Sequence, residues 1–403
     1  MFFFIGQLFS LLGSLVVFFV IFVWILDVTG SVIMLSIANF IFLVPILVFF
    51  PIAGVISDRY DRKKIILVAD SLQAIITTIM AIFFLFDFTI IWIVFIFLGL
   101  RSVCQAFHMP TVSAIIPSMI PKDKLSRING IRFLFVGVVQ LIGPGLGATL
   151  LFFFPIKYIL WIDVITFFIA LFPLITLKAP TVQVENEYDE KISFSKEIKE
   201  GFSIIRRIPG LFVIMLLGML LVMLSQPTMV LAPFFIKIIH GGSNFTLAIN
   251  SMIYQGAMIV GALLVSYKKK WKNKMRTVFI GILLINIGYL IYAIAPIGIF
   301  IYIQVGLLIM GFCMPIVEII ILTVMQTTVP LDKMGRASSI LNMLFMIASP
   351  IGALLAGPLS VILGVSNLYI FCAIISIIIT IIPFLSGDFR HIDYDQAIEL
   401  SMR

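Results

Sequence analysis

Apolar residues run through this chain in long blocks, without the alternation of a strand or the single stripe of a surface helix. The stretch SVIMLSIANFIFLVPILVFFPIAGVI (Ser31–Ile56) holds no ionisable side chain at all. A helix needs about 20 mostly apolar residues to cross the hydrocarbon core of a bilayer. By that measure twelve spans are predicted, near 3–26, 31–56, 65–86, 89–116, 129–153, 157–177, 210–236, 246–266, 277–296, 299–325, 337–361 and 366–386. The expected fold class is an all-α polytopic membrane protein. Its domains are a six-helix bundle over 1–177, a charged linker over 178–208, a second six-helix bundle over 209–387 and a tail over 388–403. Inside the linker, Phe194, Ile198, Phe202 and Ile205 recur at helical spacing among Lys and Glu, which predicts an amphipathic helix lying on the membrane surface.

Composition agrees with the pattern. Hydrophobic residues make up 62% of the chain and charged residues 11%, against about 25% charged in soluble domains. The formal charge of +8 would suggest nucleic acid if the basic residues formed a patch, but they sit in short clusters between spans. With the N-terminus inside, all but three of the 27 Lys and Arg residues fall in inner loops and tails. Lys157 and Lys237 are outside and Arg101 is within a span. Cytoplasmic loops carry the basic excess, so both termini are expected in the cytoplasm of a plasma (inner) membrane protein. The first run has neither a basic leader nor a small-residue cleavage site and is read as a retained span. Cys104, Cys313 and Cys372 all fall in apolar segments, with no metal or disulfide spacing.

An internal repeat organises the spans. PKDKLSR (Pro121–Arg127) and PLDKMGR (Pro330–Arg336) share four identities at an offset of 209 residues, and each leads into an odd-numbered span. Glycine-rich stretches follow both copies, GPGLGATL (Gly143–Leu150) and GALLAGPL (Gly352–Leu359). Six spans separate the copies, so the halves share one orientation, as in transporters built from parallel repeats.

Against this background the loop GVISDRYDRKK (Gly54–Lys64) is an anomaly, with six charged residues in eleven. It resembles the loop between helices two and three of the major facilitator superfamily, matching at Gly54, Asp58, Arg59, Arg62 and Lys63. That resemblance implies a cytoplasmic gate in which Asp58 and its basic partners latch the halves together. A dipole-based partner for Asp58 is the start of span eleven, near Gly335–Ser339. Asp61 stands where many members have Gly, which puts the usual tight turn there in question. Asp70, about a turn and a half into span three, is expected to join this gate through Arg59 and Arg62. In span five, Gly137, Gly143, Pro144, Gly145 and Gly147 resemble the glycine-rich antiporter motif of the same family, which implies export.

Candidate chemistry lies at membrane depth. Arg101, in LRSVCQAFHMP (Leu100–Pro110), sits near the midplane, where an unpaired Arg costs roughly 2.5–3.5 kcal/mol, so it must face a cavity or an acid. Its context resembles the branch containing macrolide-efflux and siderophore-export proteins, which implies proton coupling. Asp163 and Glu318 are the acids read as proton or substrate sites, while His108 is read as a capped structural residue. The substrate cavity is expected at the midplane, with Gln7, Gln105, Gln226 and Glu318 as polar contacts among Phe and Met side chains. Neither a phosphate-binding loop nor a metalloprotease His/Glu spacing is present, and the spans show no nucleophile–base pair or metal set. The expectation is therefore a monomeric, non-enzymatic secondary transporter in the lipid bilayer, without cofactor or metal. It would use protons to export an amphipathic small molecule and bind no nucleic acid. A dedicated siderophore or metabolite exporter, an importer and a non-transporting sensor are the alternatives.

Overall fold

The computed structural model describes residues 2–118, 125–176, 211–268, 271, 273–329 and 334–385; inside these ranges the side chains at 58, 116–118, 125–130 and 334–341, with several others near helix ends, are not described. Helices account for almost all of it: α1 (Phe2–Thr29), α2 (Val32–Arg59), α3 (Arg62–Leu85), α4 (Ile91–Ser118), α5 (Leu125–Phe153), a single turn (Ile156–Ile159) leading into α6 (Trp161–Thr176), α7 (Leu211–Phe234), a π-helical turn (Phe235–Ile239), α8 (Asn244–Tyr267), α9 (Lys274–Ala293), α10 (Phe300–Thr328), α11 (Met334–Leu363) and α12 (Val365–Leu385). Twelve spans long and apolar enough to cross a membrane result, and no strand occurs among the described residues. Lipid offers no partner for backbone N–H and C=O groups, so each span satisfies its own as a helix. Prolines inside α2, α5 and α10 (Pro45, Pro51, Pro144, Pro315) are carried within continuous helices.

Connections are short because the turn chemistry is local. Between α1 and α2, Gly30 adopts φ 56° and its N–H donates to Leu26 O at 2.7 Å. Ser31 then accepts from Met34 N as the cap of α2. Only Tyr60 and Asp61 separate α2 from α3.

By packing, the chain forms two compact units. The first is Met1–Glu187 with Ile236–Ile238 and Gly242–Met252, and the second is Tyr188–Phe235 with Ile239–Gly241 and Ile253–Arg403. In the first unit α1 packs on α5 and α6, α2 on α4, and α3 on α4 and α6. In the second, α7 packs on α11 and α12, and α9 on α10 and α12. Each of these second-unit pairings is a first-unit pairing shifted by six helices, which is how the sequence repeat reads in three dimensions. Phe3, Ile66, Val112, Ile115 and Leu174 form one apolar core of the first unit. A larger cluster around Val278, Ile282, Val317 and Ile320 holds the second. The linker with its predicted amphipathic helix, the tail, and most of the paired PKDKLSR and PLDKMGR loops lie outside the described residues.

Candidate functional site

Polar residues inside the first-unit spans fall at helical spacing and so share faces. On α1 these are Gln7, Ser10 and Ser14; on α3, Asp70, Gln73 and Thr77; on α4, Arg101, Gln105 and His108. α6 adds Asp163 and Thr166, a turn apart. The stripes meet in two hydrogen-bonded clusters.

The first cluster is centred on Asp163, which is 4% exposed. Arg101 Nη1 lies 2.5 Å from its Oδ2, forming a buried ion pair. Thr77 Oγ1 donates to Oδ2 at 2.8 Å and accepts from Arg101. Ser14 donates to Oδ1 at 2.9 Å, and Gln73 Nε2 in turn donates to Ser14 at 2.7 Å. Both carboxylate oxygens are thus engaged, which is what a buried ion pair requires to offset its desolvation. The geometry depends on how closely α1 approaches α6. A Cβ on Gly13 would sit 3.0 Å from Asp163 Cα and collide with the Thr166 hydroxyl. The sequence placed Arg101 opposite an acid or a cavity, and the structure gives it both.

The second cluster contains Asp70, Gln7 and His108. Gln7 Nε2 donates to Asp70 Oδ2 at 3.3 Å, and His108 Nε2 lies 3.2 Å from Asp70 Oδ1. His108 Nε2 is also 2.8 Å from Gln7 Oε1. Three expectations change here. Asp70 takes partners inside the bundle in place of the expected Arg59 and Arg62, because its face of α3 turns toward α1 and α4. Gln7 is committed to Asp70 and His108 and is not free for substrate. His108, read from sequence as a capped structural residue, belongs to this titratable cluster.

Two cavities flank the network. One of about 170 Å³ is lined by Leu11, Leu15, Phe18, Phe42 and Leu98, with Ser14, Gln73, Arg101 and Gln105 as its polar wall. The rings of Phe18 and Phe42 approach to 4.8 Å there. A second, of about 10 Å³, lies between the two carboxylates and is bounded by Ser10, Asp70, Gln73 and Asp163. Gln73 borders both cavities. Sequence reasoning had picked out Gln105 and Arg101, but it missed Ser14, Gln73 and Thr77. The signal that finds them is polar residues recurring at three, four and seven positions within an apolar run.

Other candidates fall elsewhere. Asp61 caps α3, accepting from Lys63 N at 2.9 Å and Lys64 N at 3.4 Å, with φ −60°. No left-handed residue is needed, so the turn forms without the Gly that Asp61 replaces. Arg62 donates to Ser57 O at 3.2 Å and Ala114 O at 3.0 Å, tying the loop to α4. Lys63 reaches Ile175 O at 2.6 Å on α6. Arg59 is exposed, and a Cβ on Gly54 would meet nothing within 4 Å. The latch expected of Asp58 with residues 335–339 involves side chains outside the described set.

The glycines of α5 do face neighbours. A Cβ at Gly143 would meet Leu15 at 3.1 Å, and one at Gly147 would meet Phe19 at 2.8 Å, so α1 and α5 pack closely. Gly145 faces Met252 of the segment that joins this unit. Gly137 lies in the same helix, and Pro144 is carried within it. Asp27, at the outer end of α1, forms an ion pair with Lys237 of the same unit. In the second unit, Glu318 is exposed on α10, with no hydrogen-bond or ion-pair partner among the described residues and Tyr254 as its electrostatic neighbour. Gln226 packs where α7 meets Gly352 of α11. Among the described residues no group of His, Cys, Asp and Glu could hold a metal ion.

The first unit of this polytopic membrane protein thus holds a buried ion pair beside an apolar cavity, and its helix pairings recur in the second. The chain belongs to the Major Facilitator Superfamily, whose family profile matches residues 3–353. It is 26% identical over 388 residues to Macrolide efflux protein A of Streptococcus pyogenes, covering 96% of both chains. To Macrolide efflux protein A of Enterococcus faecalis it is 27% identical over 80% of this chain and 99% of that one. The Staphyloferrin A transporter of Staphylococcus aureus matches at 28% identity over 36% of this chain and 37% of its own. Among solved structures, the nucleoside transporter NupG superposes with a TM-score of 0.70 at 13% identity, covering 96% of this chain and 99% of its own. A bacterial homologue of the iron transporter ferroportin in an inward-facing state gives 0.71 at 14%, covering 94% and 96%. These two establish the fold. The chain is thus a transporter of the Major Facilitator Superfamily.

Proposed function

We propose that the protein is a proton-coupled antiporter that exports an amphipathic, macrolide-like molecule by alternating access. One observation carries the reading: Arg101 is at once the partner of buried Asp163 and part of the wall of the apolar cavity. A proton on Asp163 removes the charge that holds Arg101. The freed guanidinium then presents a positive charge to the cavity, which disfavours a cationic occupant such as a macrolide amine. Loss of the proton restores the pair and a neutral wall. Proton and substrate therefore exclude one another through a shared arginine, which is the thermodynamic requirement of antiport.

The cavity's chemistry suits this cargo. Leu11, Leu15, Phe18, Phe42 and Leu98 would take a ring or alkyl face, while Ser14, Gln73 and Gln105 offer a few hydrogen bonds. Its volume is below the roughly 300 Å³ at which drug-sized pockets begin, so it would seat one part of a larger molecule. The efflux names of the long-range relatives favour export, and Glu318 is kept as a second proton or substrate contact. On the distribution of basic residues, this reading has both termini on the cytoplasmic side of the bacterial inner membrane. The test is erythromycin movement in proteoliposomes under an imposed pH gradient. Gradient-driven transport that is lost in Asp163→Asn supports antiport. Transport indifferent to the gradient, or selective for a ferric chelate, overturns this reading in favour of another coupling or a siderophore exporter.

A further inference from the structure

The Asp163 cluster accounts for one proton site, yet a second buried titratable group lies beside it. Asp70 is 7% exposed, and among the described residues its ion-pair partner is His108, which is charged only when protonated. The Asp163–Arg101 pair is neutral by itself. With Asp70 ionised and His108 neutral, the buried set carries one uncompensated negative charge, and one added proton cancels it. Buried, unpaired charge is costly, so this set favours holding that proton.

Geometry points to a proton relay confined to the first unit, in which Asp70 and His108 form a second proton-holding site fed from Asp163 across the small cavity. The cavity of about 10 Å³ has both carboxylate residues in its wall, together with the Ser10 hydroxyl and the Gln73 amide. That is about the space one water needs, and the wall offers it the two to four polar partners that such a water takes. The relay rests on the proton coupling proposed above. Protonated Asp163 gives its proton to the bridging water while the water passes another to the Asp70 carboxylate, leaving the water unchanged. Asp163, again ionised, recovers Arg101. The proton is then shared between Asp70 Oδ1 and His108 Nε2, which lie 3.2 Å apart.

Depth along the helices gives the direction. On α3, Asp70 lies seven residues nearer than Thr77 to the end that the basic loops assign to the cytoplasm, about 10 Å at 1.5 Å per residue. The proton thus runs inward as the cargo leaves. The titratable and charged groups facing Asp70 are His108, Arg101 and Cys104 of α4 and Asp163 of α6. From α1 it meets only neutral Gln7 and Ser10.

The test uses the full chain in proteoliposomes, with infrared difference spectra between acidic and alkaline buffer as a readout that needs no substrate. Wild type is expected to show two carboxyl C=O bands that respond to pH, one lost in Asp163→Asn and the other in Asp70→Asn. Gradient-driven erythromycin export should be lost in Asp70→Asn and in His108→Gln, and recovered in part by Asp70→Glu. His108→Gln keeps a polar side chain beside Asp70 without a ring nitrogen to accept its proton, so it carries the test if Asp70→Asn does not fold. A coupled wild type whose Asp70→Asn or His108→Gln form exports at the parental rate, or whose Asp70→Asn form keeps both bands, overturns the relay alone. A wild type that exports without response to the gradient removes the antiport reading itself.

Discussion

Arg101 on α4 and Asp163 on α6, 62 residues apart in sequence, meet at 2.5 Å in the interior of the first six-helix unit. Two shorter side chains, Ser14 and Thr77, occupy the remaining acceptor positions of the carboxylate. The pair therefore acts as a packed unit, and its perturbation divides into a stability effect and a coupling effect.

Removing one partner strands the other. Asp163→Ala is expected to destabilise the protein by about 3–5 kcal/mol, because Arg101 stays buried without its counter-charge. The double replacement Arg101→Met with Asp163→Leu should recover most of that loss yet remain dead in gradient-driven export. Thermal unfolding of the single and double variants in detergent, beside the transport assay, checks both halves.

At Gly13 the limit is space. Gly13→Ala puts a methyl group against Thr166 and Asp163 and should cost about 1–3 kcal/mol through overpacking. By contrast, a methyl group at Gly54 enters open space. Gly54→Ala should leave stability unchanged or raise it by up to about 1 kcal/mol. Melting temperatures of the two variants, measured side by side, decide this. A transport defect in Gly54→Ala would then report on gating.

Asp61 supports α3 as its cap, so Asp61→Ala should lose about 1 kcal/mol, while Asp61→Gly, the family's more usual residue, should lose only a few tenths. Denaturation of the two variants tests whether the departure from the family pattern is structurally silent.

Glu318→Gln removes no hydrogen bond or ion pair among the described residues. Stability should stay within about 0.5 kcal/mol of wild type. Export of a cationic macrolide is nevertheless expected to fall, and a folded variant with full export would remove Glu318 from the site.

His240 gives the second unit a pH dependence. It lies just beyond the π-helical turn, 4% exposed, with its ring 4.4 Å from Phe235. Burial lowers its pKa, and the backbone of Pro296 nearby opposes part of that shift. The unfolded chain takes up this proton near the ordinary histidine value of about 6.5, while the folded chain waits for more acid. Stability is therefore full above that value, declines as pH falls through it and levels off below the folded pKa. His240→Phe should flatten that slope in unfolding midpoints measured across the range.

Much of the molecule was legible in the sequence because lipid leaves little choice. An apolar run of sufficient length in a bilayer must close its backbone hydrogen bonds as a helix. The twelve spans follow from Ser31–Ile56 and its counterparts, and the repeat of helix pairings from PKDKLSR and PLDKMGR. Arg101 likewise had to find an acid or a cavity, because nothing else makes its depth tolerable.

Which acid it found was decided only by the tertiary structure. Asp70, Asp163 and Glu318 are equivalent as letters, each a carboxylate in an apolar run. They are separated by helix rotation and by small residues such as Gly13, which set how closely α1 approaches α6. That approach delivers Ser14 to Asp163, while the rotation of α3 turns Asp70 toward Gln7 and His108; Glu318, on α10, has no hydrogen-bond or ion-pair partner among the described residues. The sequence by itself determined that this is a twelve-helix membrane carrier with a charge it had to neutralise. Three-dimensional packing determined the partner, since side chains far apart along the chain interact only where helix faces are brought within hydrogen-bond distance.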